Sequence, residues 1–429
     1  MSIKRFFPDT RPTLDLNFAA TKRLDPRITY ARDSTGTFVG SNGLIQSAAV
    51  NQARFDHNPL TGESLGLLVE EDRTNLNTYS EQLDNGVWSG GLENGTVTPN
   101  TAIAPDGTLT ADKFVPTAGS AAHGVGRTIA APASSAVSVY VKYAGQQFVQ
   151  FHLGQFALTQ AWATFDILNG VTGTTGGSTI SSTITNAGNG WYRCSFTRVN
   201  AGTAAFGFYI VSSASAGFAT ASTGDGTSGI HIWGLQLEAG SFPTSYIPTV
   251  ASTVTRAQEL VSILGSNFTS LYSPNKGTFF VQASITGERN NTSGSALVSL
   301  GTTNNDTFAG FLTFDNRLDV GITIPSEANV AQFSNLTGKL LKGATGFDDA
   351  LTSNAASASA INGNLYNVNV VNNYGVSNTP AAVGGYDRLG IGRTIRSIST
   401  YESINGTIAR LTYWPTRLPT AQLQALTVI

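Results

Sequence analysis

The chain has 429 residues, enough for two or three domains with cores of their own. Only 12% of it is charged and the formal net charge is −2, which excludes a basic face recruiting nucleic acid or anionic lipid. Its 46 glycines, set among dense Ser, Thr and Asn, suit many short strands joined by tight turns, so the composition predicts an all-β protein with very little helix.

The first stretch, MSIKRFFPDTRPTLDLNF, is broken by charges and prolines and has no apolar run of the signal-peptide kind, so synthesis in a cytoplasm is expected. Leu14-Asp-Leu-Asn-Phe18 reads as a short strand, and Asp33 to Gln46 as a hairpin turning at Ser41-Asn42-Gly43. Ser64 to Leu76 closes an N-terminal segment at about residue 72. From 73 to 252 two-residue alternation recurs in AVSVYVKY (Ala136 to Tyr143), FVQFHLG (Phe148 to Gly154), AWATFDI (Ala161 to Ile167), WYRCSFTRV (Trp191 to Val199), AFGFYIV (Ala205 to Val211) and IHIWGLQLEA (Ile230 to Ala239). This spacing, with Gly/Ser/Thr turns, predicts a β-sandwich or jelly roll. Residues 256–429 repeat the style in GTFFVQASI (Gly277 to Ile285), SALVSLG, RLDVGITI (Arg317 to Ile324) and YNVNVVNN. Only PTAQLQALT (Pro419 to Thr427) reads as a helix, with Thr420 as its N-cap. Two antiparallel sandwiches are thus expected. No stretch reaches the length of a membrane helix, and no membrane insertion is expected.

The residues that could carry chemistry are sparse. Glu70, Glu71 and Asp72 are the best carboxylate cluster, but neighbours on a strand point to opposite faces, and the cluster reads as a solvated turn. No strand places two acids as a glycosidase needs, and no nucleophile elbow is present, so no catalytic residue is predicted. His57, His123, His152 and His231 are scattered, so no transition-metal site is predicted. The oxygen-rich loops Thr302 to Thr307 and Phe314 to Asn316 leave structural calcium open, and no other cofactor is expected. Cys194, the only cysteine, alternates with Tyr192 and Phe196 and reads as an inert core thiol.

Sugar binding has a better physical case, because a sugar ring offers a CH face for stacking and hydroxyls for planar polar groups. Parity puts Val137, Val139, Val141, Val149, Phe151, Phe165, Tyr192, Cys194 and Phe196 on an inward face. The alternate positions are rich in aromatic and polar groups, and Tyr140, Gln150, His152, Trp162 and Arg193 are the candidate glycan contacts on one outer sheet. The competing reading is that these side chains pack beneath a loop, a neighbouring domain or another subunit. Trp88, Trp233, Trp414 and Glu238 read as scaffold.

Arg73 to Gly90, Ala104 to Phe114, Asn186 to Thr197 and Ile230 to Thr249 resemble the galactose-binding-like carbohydrate-binding jelly rolls common in phage tail proteins. DRLGIGRT (Asp387 to Thr394) and INGTIARLTYWPTRLPTAQLQALT (Ile404 to Thr427) are similar to concanavalin A/laminin-G-like sandwiches, which often pair their first strand with their last. The N-terminal PTLDLNFAATKRLDPRITYARDSTGTFVG resembles openings of phage tail fibre, spike and appendage proteins. The likeness to the lectin-type sandwich leaves two arrangements for residues 1–72: a separate attachment region, or part of the C-terminal sandwich with the jelly roll inserted. The resemblance implies a virion protein, made in the host cytoplasm, that adheres without catalysis to host surface glycans. Its partners would be other virion proteins, and it would be a homo-oligomer, with a trimer favoured. A decoration or joining protein that touches only virion proteins is the alternative, and a glycan-degrading spike the weaker one.

Overall fold

The computed structural model describes residues 10–154, 161–199, 202–287, 295–301, 308–314, 317–323, 340–348, 357–366, 386–393 and 403–428. Strands dominate, and the four helices among the described residues run four to eight residues each. The protein is all-β.

The alternating runs of the middle segment form two antiparallel sheets. Five strands lie in the order His123–Ala131, Gly202–Val211, Phe148–Gly154, Ala161–Asp166 and Val171–Gly176. Six lie in the order Thr179–Gly188, Trp191–Val199, Ser134–Ala144, Gly229–Ala239, Ala111–Pro116 and Gly95–Ala102. Val137, Val139, Val141, Cys194 and Phe196 from the second meet Val149, Phe151 and Phe165 from the first in one core, with Tyr192 packed against it. Period-two alternation makes this inevitable once one face of each sheet is apolar. Each such side chain contributes about 1.5–3 kcal/mol on burial. Burial also pushes the Cys194 thiol well up, as suits an unreactive core group.

A second sandwich is assembled from both ends of the chain. In its larger sheet the strand Gly406–Trp414 has Lys276–Ile285 on one side. On its other side lie two N-terminal strands. Leu14–Leu16 pairs with Leu14 opposite Tyr413 and Leu16 opposite Leu411. Ser64–Val69 follows along the same edge, with Leu67 opposite Ile408. Gly66 sits here at φ +104°, and a Cβ on it would come within 2.1 Å of the Ile408 carbonyl oxygen, so only glycine allows the approach. In the smaller sheet Ile28–Ala31 pairs with Leu260–Leu264. The two passages between the sandwiches run side by side, Arg73–Asn75 pairing with Val254–Arg256. Strands between Leu14 and Val69 are therefore woven into the C-terminal sandwich, and the jelly roll is inserted within it. Leu14, Leu16 and Phe18 share one buried cluster with Val281, Leu411 and Tyr413.

Two local readings shift. The first strand ends at Leu16, because Asn17 caps a short helix, Phe18–Thr21, by accepting from the Ala20 amide. The C-terminal helix is Thr420–Thr427, and Thr420 is its first helical residue rather than its cap. Pro419 holds the extended cap position and no side chain caps the helix. Gly36–Val39 and Ile45–Ala48 form the expected hairpin, with Leu44 donating to Asn42 within the turn.

Candidate functional site

The five candidate glycan contacts do not share a sheet. Tyr140 and Arg193 face each other across neighbouring strands of the six-stranded sheet. Gln150, His152 and Trp162 lie on the five-stranded one, His152 opposite Trp162. All five do point away from the sandwich core, as parity requires. Parity, however, fixes the side of a strand's own sheet and not which sheet the strand joins, so the two groups sit on opposite outer faces.

Each group is covered by a returning segment. Tyr140 packs edge-on against Trp233 (centroids 5.6 Å apart) and Tyr246 (6.3 Å). The Arg193 guanidinium lies 5.5 Å over the Tyr140 ring and donates to the Thr244 carbonyl and the Ser138 hydroxyl. On the other face His152 stacks on Tyr209 and meets the edge of Phe218, which also contacts Trp162. Gln150 donates to Thr164 and Gly217 and accepts from the Ala219 amide. Burial pulls His152 down to about 4, so its ring is neutral at pH 7. Tyr140, Gln150 and His152 are buried, whereas Trp162 and Arg193 are half-buried. Trp233 lies under the same cover as Tyr140, and the Glu238 carboxylate accepts from the Thr244 amide and hydroxyl. Both hold the exit segment of the jelly roll in place.

The feature that sequence reasoning missed is a buried ionic junction. Glu70 and Glu71 are not a solvated turn: they are 3% and 1% exposed, and only Asp72 reaches solvent. Glu70 meets Arg54 at 2.7 Å and Arg256 at 3.5 Å. Glu259 meets Arg54 at 2.7 Å and Arg32 at 3.2 Å, and its other oxygen accepts from the Glu70 amide. Three arginines thus enclose two carboxylates. Further guanidinium donors go to carbonyl oxygens: Arg32 to those of Ser34, Ala48 and Ala49, Arg54 to that of Thr37, and Arg256 to those of Glu71 and Ala257, while the buried Arg256 Nε makes no hydrogen bond. Ser245, from the exit of the jelly roll, donates its amide and hydroxyl to Glu70. Burial pushes the Glu70 carboxyl up, but Arg256, Arg54 and the Ser245 hydrogen bonds outweigh it and hold it at about 2. Such a cluster is favourable only when every lone pair and donor is met, and a part-broken one is costly.

Glu71, in the connection between Ser64–Val69 and Arg73–Asn75, pairs instead with Arg73, whose guanidinium lies 4.7 Å over the Phe242 ring. This pair lines a groove of about 620 Å³ in the crease between the connecting strand and the jelly roll, with Asp72, Thr74, Ser134 and Ser241 as polar groups and Leu76, Pro132 and Val199 as apolar wall. Its size falls in the range of small-molecule sites. Gly240, at φ +129°, lies against the Arg73 guanidinium, where a Cβ would collide. A smaller hollow of about 330 Å³ is lined by Glu81, Asp84 and Asp112. Asp112 accepts from the Leu83 and Asn100 amides, and burial raises it to about 6. Among the described residues no group of three His, Cys, Asp or Glu side chains is placed to hold a metal ion. The calcium-type loops at 302–307 and 315–316 lie outside the described residues.

Asp56, close to the junction, gives a pH test. Burial raises its carboxyl to about 6, against the Val39 amide that donates to it. A carboxyl raised above its unfolded value of 3.8 contributes stability that is complete below that value and lost as pH rises through 6. Asp56→Asn is therefore expected to be more stable than the wild type at about pH 7.5, with the advantage gone at about pH 4. Urea melts of both proteins at the two pH values check this, and a pH-independent difference contradicts it.

No family model matches the chain, and no curated protein does. Among solved structures it is similar to Trypanosoma rangeli sialidase in complex with sialic acid, at 9% identity and a TM-score of 0.29. That match covers 79% of this chain and 62% of the sialidase, so the chain spans less than two thirds of it. Domains LG4-5 of the mouse laminin alpha1 chain match at 11% identity and a TM-score of 0.25, covering 82% of this chain and 91% of that one. Likenesses this distant carry no assignment of ligand or activity.

Proposed function

We infer that the protein is a non-catalytic structural and adhesive part of a virion appendage, working as one stiff piece made of two sandwiches. The observation that carries this reading is the junction. Two strands cross between the sandwiches as a paired ribbon, and beside it lies a buried cluster of three arginines and two glutamates that the jelly-roll exit joins through Ser245. An appendage that transmits load needs such a rigid joint, whereas an enzyme gains more from a mobile one. The resemblance of the N-terminal and middle segments to phage tail proteins supplies the virion context. The crease groove is the place where a host glycan would lie, its hydroxyl and charged groups turned to sugar hydroxyls and its apolar wall to the CH face. Within it Glu71 is engaged by Arg73 and acts as a fixed contact rather than a general acid.

Two measurements test this reading. Antibodies to the purified protein are expected to label the appendages of intact particles in electron micrographs. The purified protein is expected to bind host envelope polysaccharide while releasing no new reducing ends. Particles without label, or polysaccharide that is shortened, would overturn it.

A further inference from the structure

The strand Thr179–Gly188 ends the six-stranded sheet of the jelly roll, and its outer edge is built unlike the other sheet edges among the described residues. Exposed edges are ordinarily blunted by shortness, charge, proline or a covering segment, since an open row of amides and carbonyls recruits another strand. Gly95–Ala102, at the far side of the same sheet, carries Pro99 and a break in register. His123–Ala131 is covered, with Gly124 exchanging hydrogen bonds with Glu93 and the Gly126 amide donating to Gly91. Val171–Gly176 donates from Thr174 to the Ala214 carbonyl. In the other sandwich Phe55–His57 and Asn364–Tyr366 have three residues each, Ile28–Ala31 lies between Arg27 and Arg32, and Arg317–Thr323 contains Arg317 and Asp319.

Thr179–Gly188 is neither short, charged, proline-bearing nor covered, and its breaks in register lie only near its two ends. It is ten residues long, and from Leu168 to Gly190 the sequence contains no charged residue and no proline. No backbone group from 180 to 187 bonds to anything beyond its ladder with Trp191–Val199. Irregularities at Thr179/Ser181 and Asn186/Gly188 bracket a regular segment, Ser181 to Asn186, in which Ser181, Thr183 and Thr185 are exposed. Their hydroxyls already form a ladder on the sheet, Ser181 with Thr197 and Thr183 with Ser195 at 2.7 Å each.

We propose that this edge is a self-association strand, which takes the same strand of a second copy in antiparallel register centred on Thr183. A two-fold axis there sets Thr183 against its equivalent and Ser181 against the partner's Thr185, so the hydroxyl ladder continues across the boundary and the two sheets become one. Cross-strand Thr and Ser pairs of this kind are favourable. A second copy is the occupant because the edge is self-complementary. It offers no charge to recognise a charged foreign strand, and two copies meet without like-charge repulsion. The contact is two-fold, which distinguishes it from the trimer implied by the phage-tail resemblance.

Sedimentation of the full chain over a range of concentrations is expected to show a monomer passing to a dimer. Thr183→Lys, which sets two ammonium groups together at the axis, is expected to stay monomeric while melting within a few degrees of the wild type. Thr183→Cys is expected to give a disulfide-linked dimer on mild oxidation. Thr172→Cys, exposed on the neighbouring strand, is expected to give none, and the buried Cys194 stays silent in both. A wild type that stays monomeric at all concentrations overturns the proposal. So does a trimer, a dimer that persists in Thr183→Lys, or a Thr183→Cys dimer that fails to cross-link.

Discussion

Glu259→Gln is expected to destabilise the protein by about 3–5 kcal/mol, the usual cost of removing one partner from a buried charge cluster. The Glu259 side chain is fully buried and sits among three guanidinium groups, 2.7 Å from Arg54, 3.2 Å from Arg32 and 3.6 Å from Arg256. Glutamine keeps the shape but leaves three positive charges facing Glu70 alone, and its amide points a donor at a donor. Urea denaturation measures the loss directly. The control is Asp15→Asn, which breaks the exposed Asp15–Arg410 pair and is expected to cost about 1 kcal/mol or less. If the two substitutions cost the same, the junction does not hold the sandwiches in the way described.

Phe18→Ala is expected to cost about 3–5 kcal/mol, the range for emptying a well-packed aromatic site. The ring is 1% exposed and lies 6.5 Å from that of Phe55, in the core beneath Leu411 and Tyr413. The location of the damage is as informative as its size. Although Phe18 stands near the N-terminus, hydrogen exchange is expected to accelerate in the C-terminal strand Gly406–Trp414, with Ser134–Ala144 in the jelly roll far less affected. Acceleration confined to the first residues contradicts a shared core.

Much of the fold was legible because β-strands write their burial into the sequence at a period of two. Val137, Val139 and Val141, and likewise Cys194 and Phe196, are inward in the structure as their alternation requires. What period two cannot express is partnership between distant segments. The split of Tyr140 and Arg193 from His152 and Trp162 follows from strand order, which no local pattern encodes. The ionic junction was hidden for a related reason. Arg32 and Arg256 stand in stretches that carry no clear burial pattern, and Glu70 meets Glu259 only because the chain returns after 189 residues. A faint signal was present at Arg54, which lies between Ala53 and Phe55 rather than among polar neighbours, and at Glu70, which follows the apolar run Leu67 to Val69. A charged residue is almost never fully buried unless it is paired.

The inserted jelly roll and the sandwich closed by the N- and C-terminal strands are expected to behave as one mechanical unit. Differential scanning calorimetry of the intact chain tests it most directly. A single transition whose calorimetric and van't Hoff enthalpies agree is expected. In Glu259→Gln this peak is expected to separate into two. Two well-resolved transitions in the wild type, one for each sandwich, would contradict it.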